Sequence, residues 1–407
     1  MTKNKTLFGL PEKVFFCTNC VTSNQRPNSA LEFKHTAKSR KETLKFDKRG
    51  VCDACQFAEQ KEKIDWQSRE KELLQLLDTY RRSDGQYDCI VPGSGGKDSA
   101  FTAHILKYKY GMHPLTVTWP PILYTDYGYQ NYKNWIEIGG FDNIMFKQNG
   151  HVMKLLTRLS ILNLLHPFQT FILGQKNLAP KIAAKFNIPL VFYGENGAEY
   201  GNPLADNNSS LRDKSYHTYK NLNDLYLGGV ALPELIDKYK ISLADLKAFL
   251  PLEVDEFEGK KIEVRYLGYY LKWIPQEAYY YAVEHTGFKA RPFRTQGTYS
   301  KYNSIDDKID DFHYYTTFIK FGIGRATYDA SQEIRNMHLT REEGMALVKR
   351  FDGEFPDRYF SEIMEYLDIT PEHFTKLCDT FRSPHLWKKQ GSEWKLRHTV
   401  NNDGTDD

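Results

Sequence analysis

The segment YDCIVPGSGGKDSAFTAHILKYKYG, residues 87–111, decides the fold of this chain. Residues 87–91 are a short apolar run that predicts a β-strand, and residues 98–110 carry apolar side chains at helical spacing. Between them, Gly95 and Gly96 allow close backbone approach and unusual dihedral angles. The segment therefore predicts a strand, a glycine loop and a helix in immediate succession.

The loop SGGKDS, residues 94–99, has the composition of a phosphate-binding site. Backbone N–H groups at its glycines and at the helix start, together with the helix dipole, attract an anion. Lys97 adds a full positive charge, and Ser94 and Ser99 add hydroxyl donors. Asp98 suits such a site if it helps to hold Mg²⁺ or orients the loop. A chance glycine turn is the alternative.

The loop differs from a Walker A motif, which has a glycine five residues before its Gly-Lys and Ser or Thr directly after the lysine. Val91 and Asp98 occupy those positions. The string SGGKDS instead resembles the PP-loop of the adenine-nucleotide alpha-hydrolase superfamily, whose members grip the pyrophosphate of ATP and transfer AMP to a substrate oxygen. The resemblance implies an ATP site that includes Ser94, Gly95, Gly96, Lys97, Asp98 and Ser99.

The segments that follow continue to alternate between strands and helices. The sequence predicts strands at 113–119, 143–147 and 188–193, and helices at 129–138, 151–165 and 176–186. This alternation indicates an α/β fold with a mainly parallel sheet covered by helices on both faces. Because ligands of such sheets bind beyond the carboxyl ends of the strands, loops 94–99, 120–131 and 194–202 are the expected walls of the site.

Aromatic and polar residues at these loops are candidates for ligand binding. Trp119 lies against adenine in one interpretation and in the protein core in another. Asn131 and Asn134 stand three apart at a helix start and suit ribose or sugar hydroxyl groups, although capping or surface roles explain them equally. Glu195 and Asn196 follow a buried strand and suit substrate or metal contact, with a turn that carries no chemistry as the alternative.

The later sequence is mostly helical and holds further cationic candidates. Arg294 lies in a polar loop, and Lys320 and Arg325 flank a glycine pair before a helix, a context that favours phosphate binding. The acids of SIDDKIDDF, residues 304–312, are typical of a helix start with Ser304 as the N-cap. We therefore expect Arg294, Lys320 and Arg325 to bind substrate, and the acids to be structural.

Four of the six cysteines form two CxxC pairs, Cys17 with Cys20 and Cys52 with Cys55. Each pair offers two thiolates, so the four predict one tetrahedral zinc site with a closed coordination shell and a structural role. An iron–sulfur cluster held by four cysteines is the alternative. A redox role is disfavoured because two similar pairs flank one polar segment. A lobe this small would depend on its metal to fold.

The composition excludes several classes of protein. The 407 residues are 41% hydrophobic and 26% charged, which is globular rather than disordered. A net charge of +3 over this length gives no sign of a nucleic-acid-binding surface. No apolar run approaches the ~18 residues that span a bilayer, and the first residues lack the apolar region of a secretory signal. We therefore expect a cytoplasmic protein without a membrane span.

The predicted organisation adds two regions to an α/β domain. We expect a zinc-binding lobe at 1–70, a PP-loop ATP pyrophosphatase domain at 71–255, a mostly helical substrate or partner region at 256–390, and a disordered tail at 391–407.

Motifs over nearly the whole chain, about residues 10–385, carry a more specific resemblance. The CxxC pairs, SGGKDS, WPP…GFDNI, YGENGAEYGN and KFGIGRATYDASQEIR…LTREEGMALVKRFDGEFP together resemble the N-acetyl sugar amidotransferase family. Members act in bacterial surface-polysaccharide and flagellin-sugar pathways, and they include the pseudaminic acid biosynthesis amidotransferase. The resemblance implies conversion of a sugar acetamido group into an acetamidino group, with ATP, Mg²⁺ and Zn²⁺ as cofactors.

The implied reaction is chemically sensible because an acetamide has a poor oxygen leaving group. Transfer of AMP to that oxygen gives an O-adenylated imidate and releases pyrophosphate, after which ammonia displaces AMP. The loop and Mg²⁺ would stabilise the charge that grows on pyrophosphate. Lys97 is the expected principal catalytic residue, with Asp98 and Ser99 in support.

The chain offers no obvious glutaminase nucleophile. Cys89 lies in a predicted strand and Cys378 in a predicted helix, and neither context suits a nucleophile turn. The family resemblance implies partner subunits, similar to the glutaminase and cyclase of histidine biosynthesis, that make and channel ammonia. The expected acceptor is an N-acetylated, nucleotide-linked sugar rather than a nucleic acid.

A tRNA sulfur-transferase is the alternative function, because those enzymes also join amino-terminal zinc knuckles to a PP-loop. They need further catalytic cysteines or an iron–sulfur cluster, and only Cys89 and Cys378 remain here. A non-catalytic nucleotide sensor or zinc scaffold is a third interpretation. It is disfavoured because the loop contains every residue type that grips phosphate.

Overall fold

A five-stranded, all-parallel sheet forms the centre of the protein, as a computed structural model shows for residues 5–28, 33–200 and 209–401. This confirms the predicted mixed α/β class with a parallel central sheet. The strands in the described residues are β1 Cys89–Pro92, β2 Pro114–Thr118, β3 Asn143–Met145, β4 Leu190–Tyr193, β5 Thr218–Tyr219, β6 Tyr226–Leu227, β7 Val230–Ala231, β8 Leu252–Glu253, β9 Glu263–Tyr266, β10 Trp387–Gln390 and β11 Glu393–Leu396.

Helices surround the sheet and form most of the carboxy-terminal part of the chain. Those in the described residues are α1 Asp53–Lys61, α2 Trp66–Tyr80, α3 Lys97–His104, α4 Asp126–Glu137, α5 Gly150–Leu164, α6 Gln169–Phe186, α7 Leu232–Asp237, α8 Leu243–Leu246, α9 Val254–Gly259, α10 Pro275–Thr286, α11 Ile309–Phe321, α12 Arg325–Arg335, α13 Arg341–Phe351, α14 Phe360–Leu367 and α15 Pro371–Phe381. Helix α3 continues into a single π-helical stretch, Ile105–Lys109.

The strand order of the central sheet, β3-β2-β1-β4-β9, places the SGGKDS loop at a topological switch point. From β1 the chain proceeds through β2 to β3 on one side, and later strands β4 and β9 extend the sheet on the other. Connections that leave neighbouring strands in opposite directions open a crevice at the carboxyl ends of those strands. The loop follows β1 directly and therefore lies at this crevice.

Alternate residues of the strands face two different layers of the core. Val91 of β1 and Phe192 of β4 belong to the layer that includes side chains of α2, α3, α4 and α10. Ile90 and Val191 belong to the other layer, with side chains of α5 and α6. Because the side chains of a strand point to opposite faces in turn, one short apolar strand serves both layers.

The central sheet extends beyond the region predicted for it. Residues 256–390 are predicted to be mostly helical, whereas β9, Glu263–Tyr266, pairs with β4 as the fifth strand. The sheet therefore includes residues past the expected border at 255. Main-chain pairing with β4 decides which sheet this strand joins.

The predicted disordered tail at 391–407 is wrong for its first part. Strand β11 pairs antiparallel with β10, and the N–H of Arg397 donates to the carbonyl of Leu386 at 2.8 Å. Trp387 is 4% exposed and donates its indole N–H to the carbonyl of Ile319. This anchor on α11 holds the hairpin. Residues 402–407 lie outside the described part of the chain.

The helices in the described residues include none that is both long and apolar enough to cross a bilayer.

A buried ion pair joins the amino-terminal region to the segment that follows β4. Lys61, the last residue of α1, contacts Glu199 at 2.7 Å, and the two side chains are 5% and 7% exposed. The same ammonium donates to the carbonyl of Trp273 at 2.8 Å. Removal of one partner from such a pair leaves an uncompensated buried charge.

We therefore predict that Lys61→Met lowers the free energy of unfolding by about 3–5 kcal/mol, because Glu199 is left buried without its cation. Urea unfolding followed by circular dichroism measures this change. Lys214→Met is the matched control: Lys214 pairs with Glu258 on the surface, where the side chains are 59% and 52% exposed. Its unfolding midpoint should stay close to that of the parent. Equal effects of both substitutions would contradict the prediction.

Candidate functional site

The SGGKDS loop is held against helix α4 by a backbone contact that only glycine permits. Gly95 has a φ of 86°, in the left-handed region. A Cβ atom at this position would lie 2.7 Å from the carbonyl oxygen of Asn131 and 2.7 Å from the Cα atom of Tyr132. Helix α3 then begins at Lys97, with Gly96 as its N-cap. The predicted strand, glycine loop and helix are therefore confirmed, and the loop has no room for a side chain at Gly95.

Charged groups converge on this loop from two parts of the chain. The Lys97 ammonium contacts the Asp98 carboxylate at 2.5 Å, and the Ser94 hydroxyl donates to the Asp306 carboxylate at 2.8 Å. The second oxygen of Asp98, Oδ1, is buried and has no hydrogen-bond partner among the described residues. A buried carboxylate oxygen without a donor is a suitable ligand for a hard cation such as Mg²⁺.

Two cavities meet at the loop. The larger cavity, about 520 Å³, is bounded by the loop, the amino-terminal region, the α5–α6 junction and helices α11 and α12. The smaller, about 220 Å³, lies at the carboxyl ends of β1, β2 and β4, as the switch-point geometry requires. Ser94, Gly96 and Asp98 line both cavities. A molecule in one cavity is therefore separated from a molecule in the other by the loop itself.

Most of the candidate residues from the sequence line one of the two cavities. The larger is lined by Ser94, Gly95, Gly96, Lys97, Asp98, Asn131, Lys320 and Arg325. The smaller is lined by Ser94, Gly96, Asp98, Ser99, Trp119 and Glu195. Burial raises the pKa of Glu195, and nearby Asp98 raises it further.

Three candidates line neither cavity and are engaged elsewhere. The Asn134 amide donates to the carbonyl of Gly287, and the Asn196 side chain accepts from the N–H of Ala198. Arg294 makes two hydrogen bonds of 2.6 Å with Glu354. Asn196 belongs to the loop predicted at 194–202, of which residues 201 and 202 lie outside the described part of the chain.

Trp119 and Asn131 have structural contacts as well as positions at the cavities. Trp119 is 3% exposed, stacks on Phe146 and meets Phe249 edge to face. Asn131 exchanges two hydrogen bonds with the main chain of Lys289, donating at 2.9 Å and accepting at 2.8 Å. Trp119 is therefore a core residue that also bounds the smaller cavity, and its contact with adenine stays a prediction.

The acids at 304–312 differ from their predicted role as a helix start. Ser304 has a φ of 54°, and helix α11 begins only at Ile309, so Ser304 is no N-cap. Asp306 accepts from the Ser94 hydroxyl, and half-buried Asp310 lines the larger cavity. Burial, with Asp306 and Asp307 nearby, raises the pKa of Asp310 well above its usual range. The clustering of acids was visible in the sequence, but its approach to the loop 212 residues away was not.

The four cysteines of the two CxxC pairs form one buried cluster, as predicted. Each CxxC pair is called a knuckle below, with Cys17 and Cys20 in the first and Cys52 and Cys55 in the second. Their sulfur atoms all lie within 4.8 Å of one another, and the pairs Cys17–Cys55 and Cys20–Cys52 are each separated by 3.8 Å. Four thiolates at about 2.3 Å from one tetrahedral ion would be about 3.8 Å apart. A cluster of several iron atoms would bind the thiolates on separate metal atoms and hold them farther apart. The spacing therefore fits a single metal ion such as zinc.

A side chain of the carboxy-terminal region forms hydrogen bonds with the first knuckle. The Arg341 guanidinium, at the start of α13, donates to the carbonyls of Cys17 and Cys20 at 3.2 Å. Arg335 lines the larger cavity, and its charge contributes to a lowered pKa of the Cys20 thiol, behind the hydrogen bonds from the other cysteines. Arg335 therefore lies between the cysteine cluster and the larger cavity.

In a comparison with known proteins, the carboxy-terminal part of the chain matches one family model. Residues 296–401 match the family model described as LPS biosynthesis protein WbpG-like, C-terminal domain. Helices α11 and α12, which form much of the wall of the larger cavity, lie within this match. The match supports a family that acts in LPS or sugar biosynthesis.

A second similarity is more limited. The chain is 31% identical over 83 residues to an uncharacterized protein of Methanocaldococcus jannaschii. The aligned part is 20% of this chain and 29% of the archaeal protein, so the chain spans less than a third of the length of that relative.

We predict that Gly95→Ala distorts the loop, because the added Cβ would collide with the backbone of α4. Gly85→Ala is the matched control: Gly85 also has a positive φ, of 78°, but has nothing within 4 Å of an added Cβ. The free energy of unfolding of the control should fall by only ~1–2 kcal/mol, the cost of placing an alanine in the left-handed region. In urea unfolding, the free energy of unfolding of Gly95→Ala should fall clearly more than that of the control. Gly95→Ala should also bind nucleotide more weakly. Two variants of equal stability with unchanged affinity would refute the steric argument.

For the cysteine cluster, we predict about one zinc ion per chain, because four closely spaced thiolates complete one tetrahedral shell. Inductively coupled plasma mass spectrometry of the purified protein measures the content. Cys20→Ser should remove the metal, whereas Cys378→Ala, which changes a buried cysteine on α15, should retain it. Iron with visible absorbance, or two or more ions per chain, would contradict the prediction.

Proposed function

We propose that this protein is an ATP-dependent amidotransferase that converts the N-acetyl group of a sugar into an acetamidino group in bacterial surface-polysaccharide or nonulosonic acid biosynthesis. The observation that carries the proposal is the meeting of two parts in one cavity. The SGGKDS loop, with the composition of a PP-loop, faces helices from a segment similar to an LPS biosynthesis domain. A phosphate-binding loop and a sugar-pathway segment that share a cavity are what adenylation of a sugar requires.

The loop would bind the phosphates of ATP. Lys97 and the N–H groups at the start of α3 supply positive charge where pyrophosphate leaves, and stabilisation of that developing charge is the main catalytic contribution. When bound, Mg²⁺ would neutralise phosphate charge, and Asp98 Oδ1 and the carboxylate of Asp306 are the residues suited to hold it. Ser99 supports the loop by donating its hydroxyl to the carbonyl of Gly96 at 3.0 Å.

The two cavities suit the two substrates. The smaller one, with Trp119 and Tyr193 in its wall, offers the aromatic surface that a nucleoside base would contact. The larger cavity would take the acceptor sugar, whose acetamide oxygen must reach the α-phosphate at the loop. AMP transfer to that oxygen and release of pyrophosphate would give the O-adenylated imidate. Ammonia then attacks the imidate carbon, and AMP leaves.

Ammonia would come from a partner protein. Cys89 and Cys378 are buried, at 0% and 3% exposure, and neither lines one of the two cavities. A glutaminase nucleophile must reach substrate, so neither thiol is placed for glutamine hydrolysis. The same burial weighs against a tRNA sulfur-transferase, which would need a reactive thiol beside the nucleotide. A glutaminase with a cyclase-like channelling subunit is the expected source.

Pyrophosphate exchange distinguishes the functions. Exchange of labelled pyrophosphate into ATP that depends on an N-acetylated nucleotide sugar supports the amidotransferase, and dependence on tRNA would support the sulfur-transferase. Mass spectrometry of acceptors incubated with ATP and ammonium should detect replacement of one oxygen by NH. If glutamine alone were as efficient as ammonium, the proposed need for a partner would fail.

We predict that Lys97→Ala lowers turnover by about 10²-fold or more, because the ammonium stabilises charge that grows in the transition state. Lys109→Ala is the matched control, since Lys109 lies at the end of the same helical stretch and pairs with Glu70 on the surface. The exchange assay measures both variants, and metal content and circular dichroism should match the parent. Near-normal exchange by Lys97→Ala would exclude the phosphate role.

A further inference from the structure

One part of the larger cavity wall is lined mainly by basic residues. This basic wall consists of His35, Lys41, His166, His313 and Lys320, which come from three distant parts of the sequence. They belong to the segment before the second knuckle, the α5–α6 junction and helix α11. The fold therefore assembles these five groups, because they are not close in the chain.

Helix α11 presents one face to the cavity. His313, Thr317 and Lys320 are separated by four and three residues, the spacing that aligns side chains on one side of a helix, and all three line the cavity. Lys320 is 6% exposed and donates to the carbonyl of Leu164 at 2.9 Å. The rings of Phe8 and Phe381 lie within 4.8 and 5.6 Å of its ammonium. Lys320 is therefore fixed in place at the cavity.

Two histidines form a stacked pair beside Lys320. The rings of His166 and His313 are 4.9 Å apart, with an interplanar angle of 19°. The Nδ1 atom of each ring is buried and has no hydrogen-bond partner among the described residues. Buried ring nitrogens without partners cost free energy unless a ligand or water satisfies them.

The charges that act on the basic wall come mainly from the wall itself. Burial and Lys41 lower the pKa of Lys320 to about 7, and burial with Lys320 and Lys41 lowers the pKa of His35 to about 3. Burial, then His313 and the nearby lysines, lowers the pKa of His166. Among ion pairs between described residues, none includes Lys320, His35, His166 or His313. Lys320, His35, His166 and His313 are therefore basic groups to which no described carboxylate is paired.

The two kinds of wall suit two kinds of anion. At the loop, Asp98 and Asp306 accompany Lys97, and such a mixture suits phosphates that carry a metal ion. Asp310 lies three residues before His313 on α11, but Lys320, His166 and His313 form no ion pair with a described carboxylate, so they suit an anion better than a metal ion. A bare anion would gain charge-assisted hydrogen bonds and would offset the cost of burying an ammonium.

We propose that the basic wall is a second anion subsite, which binds a carboxylate or phosphate of the acceptor substrate through Lys320, His166 and His313. This assignment rests on the proposed function, because it treats the larger cavity as the acceptor site. The anion is either a carboxylate on the sugar ring or the diphosphate that joins the sugar to a nucleotide. In both cases it fixes the acceptor while the acetamide extends to the loop.

The test is isothermal titration calorimetry on the purified full-length chain with four probes. UDP carries the diphosphate without a sugar, N-acetylneuraminate carries a carboxylate without phosphate, N-acetylglucosamine is neutral, and Mg²⁺-ATP reports on the loop. We expect at least one of the two anionic probes to bind. Its affinity should fall about tenfold or more in Lys320→Met, since the variant removes one partner of a buried charged contact.

The controls separate loss of the subsite from loss of structure. Lys181→Met also removes a lysine that donates to main-chain carbonyls, those of Lys247 and Ala248, but Lys181 lines neither cavity. It should keep the affinity for the anionic probe. His313→Gln provides a second variant of the wall if Lys320→Met does not fold, and it should weaken the same probe. Both wall variants should bind Mg²⁺-ATP within about twofold of the parent.

The outcomes are distinct. The anionic probe that depends on Lys320 identifies the source of the anion as carboxylate or diphosphate. Failure of both anionic probes to bind, or unchanged affinity in both wall variants, would overturn the subsite. Loss of Mg²⁺-ATP affinity with retained anion binding would assign the wall to ATP and would also overturn it. Lys320-dependent binding without any acceptor-dependent pyrophosphate exchange would instead refute the amidotransferase and leave the subsite standing.

Discussion

The approach of Gly95 to the backbone of helix α4 is the contact on which the arrangement of the site depends. It brings the loop after β1 against the middle of the helix after β2, at the point where the strand order of the sheet reverses. Asn131, on the same turn of α4, holds the main chain at Lys289 through two hydrogen bonds. One turn of α4 therefore positions both the SGGKDS loop and the chain that leads into the carboxy-terminal region.

Charge is distributed unevenly along the cavity that results. Carboxylates gather at the loop, where Asp306 reaches Ser94 and Asp98 retains an unused oxygen, while Lys320 and the histidine pair lie on another part of the wall. In a partly desolvated space, charges interact more strongly than in water. Under the proposed function, a cavity of this kind would orient an acceptor that has an anionic end and a neutral, reactive end.

The amino-terminal lobe contributes to the cavity as well as holding the four-cysteine cluster. Arg26 lies between the two knuckles in sequence, is 3% exposed, and covers the ring of Tyr328 at 4.5 Å. Both residues line the larger cavity. Arg341 ties the first knuckle to α13. A metal that holds the knuckles would thus also keep part of the cavity wall in place.

Local chemistry in the sequence determined a large part of this picture. The SGGKDS loop, the strand and helix that flank it, the α/β alternation and the four-cysteine cluster were all predictable, because each depends on residues close together in the chain. Tertiary structure alone decided that β9 completes the sheet, that the chain after residue 390 pairs as a hairpin, and that Asp306 reaches Ser94. It alone brought His35, His166 and Lys320 to one wall. These features depend on contacts between distant segments, which no local pattern of residues reports.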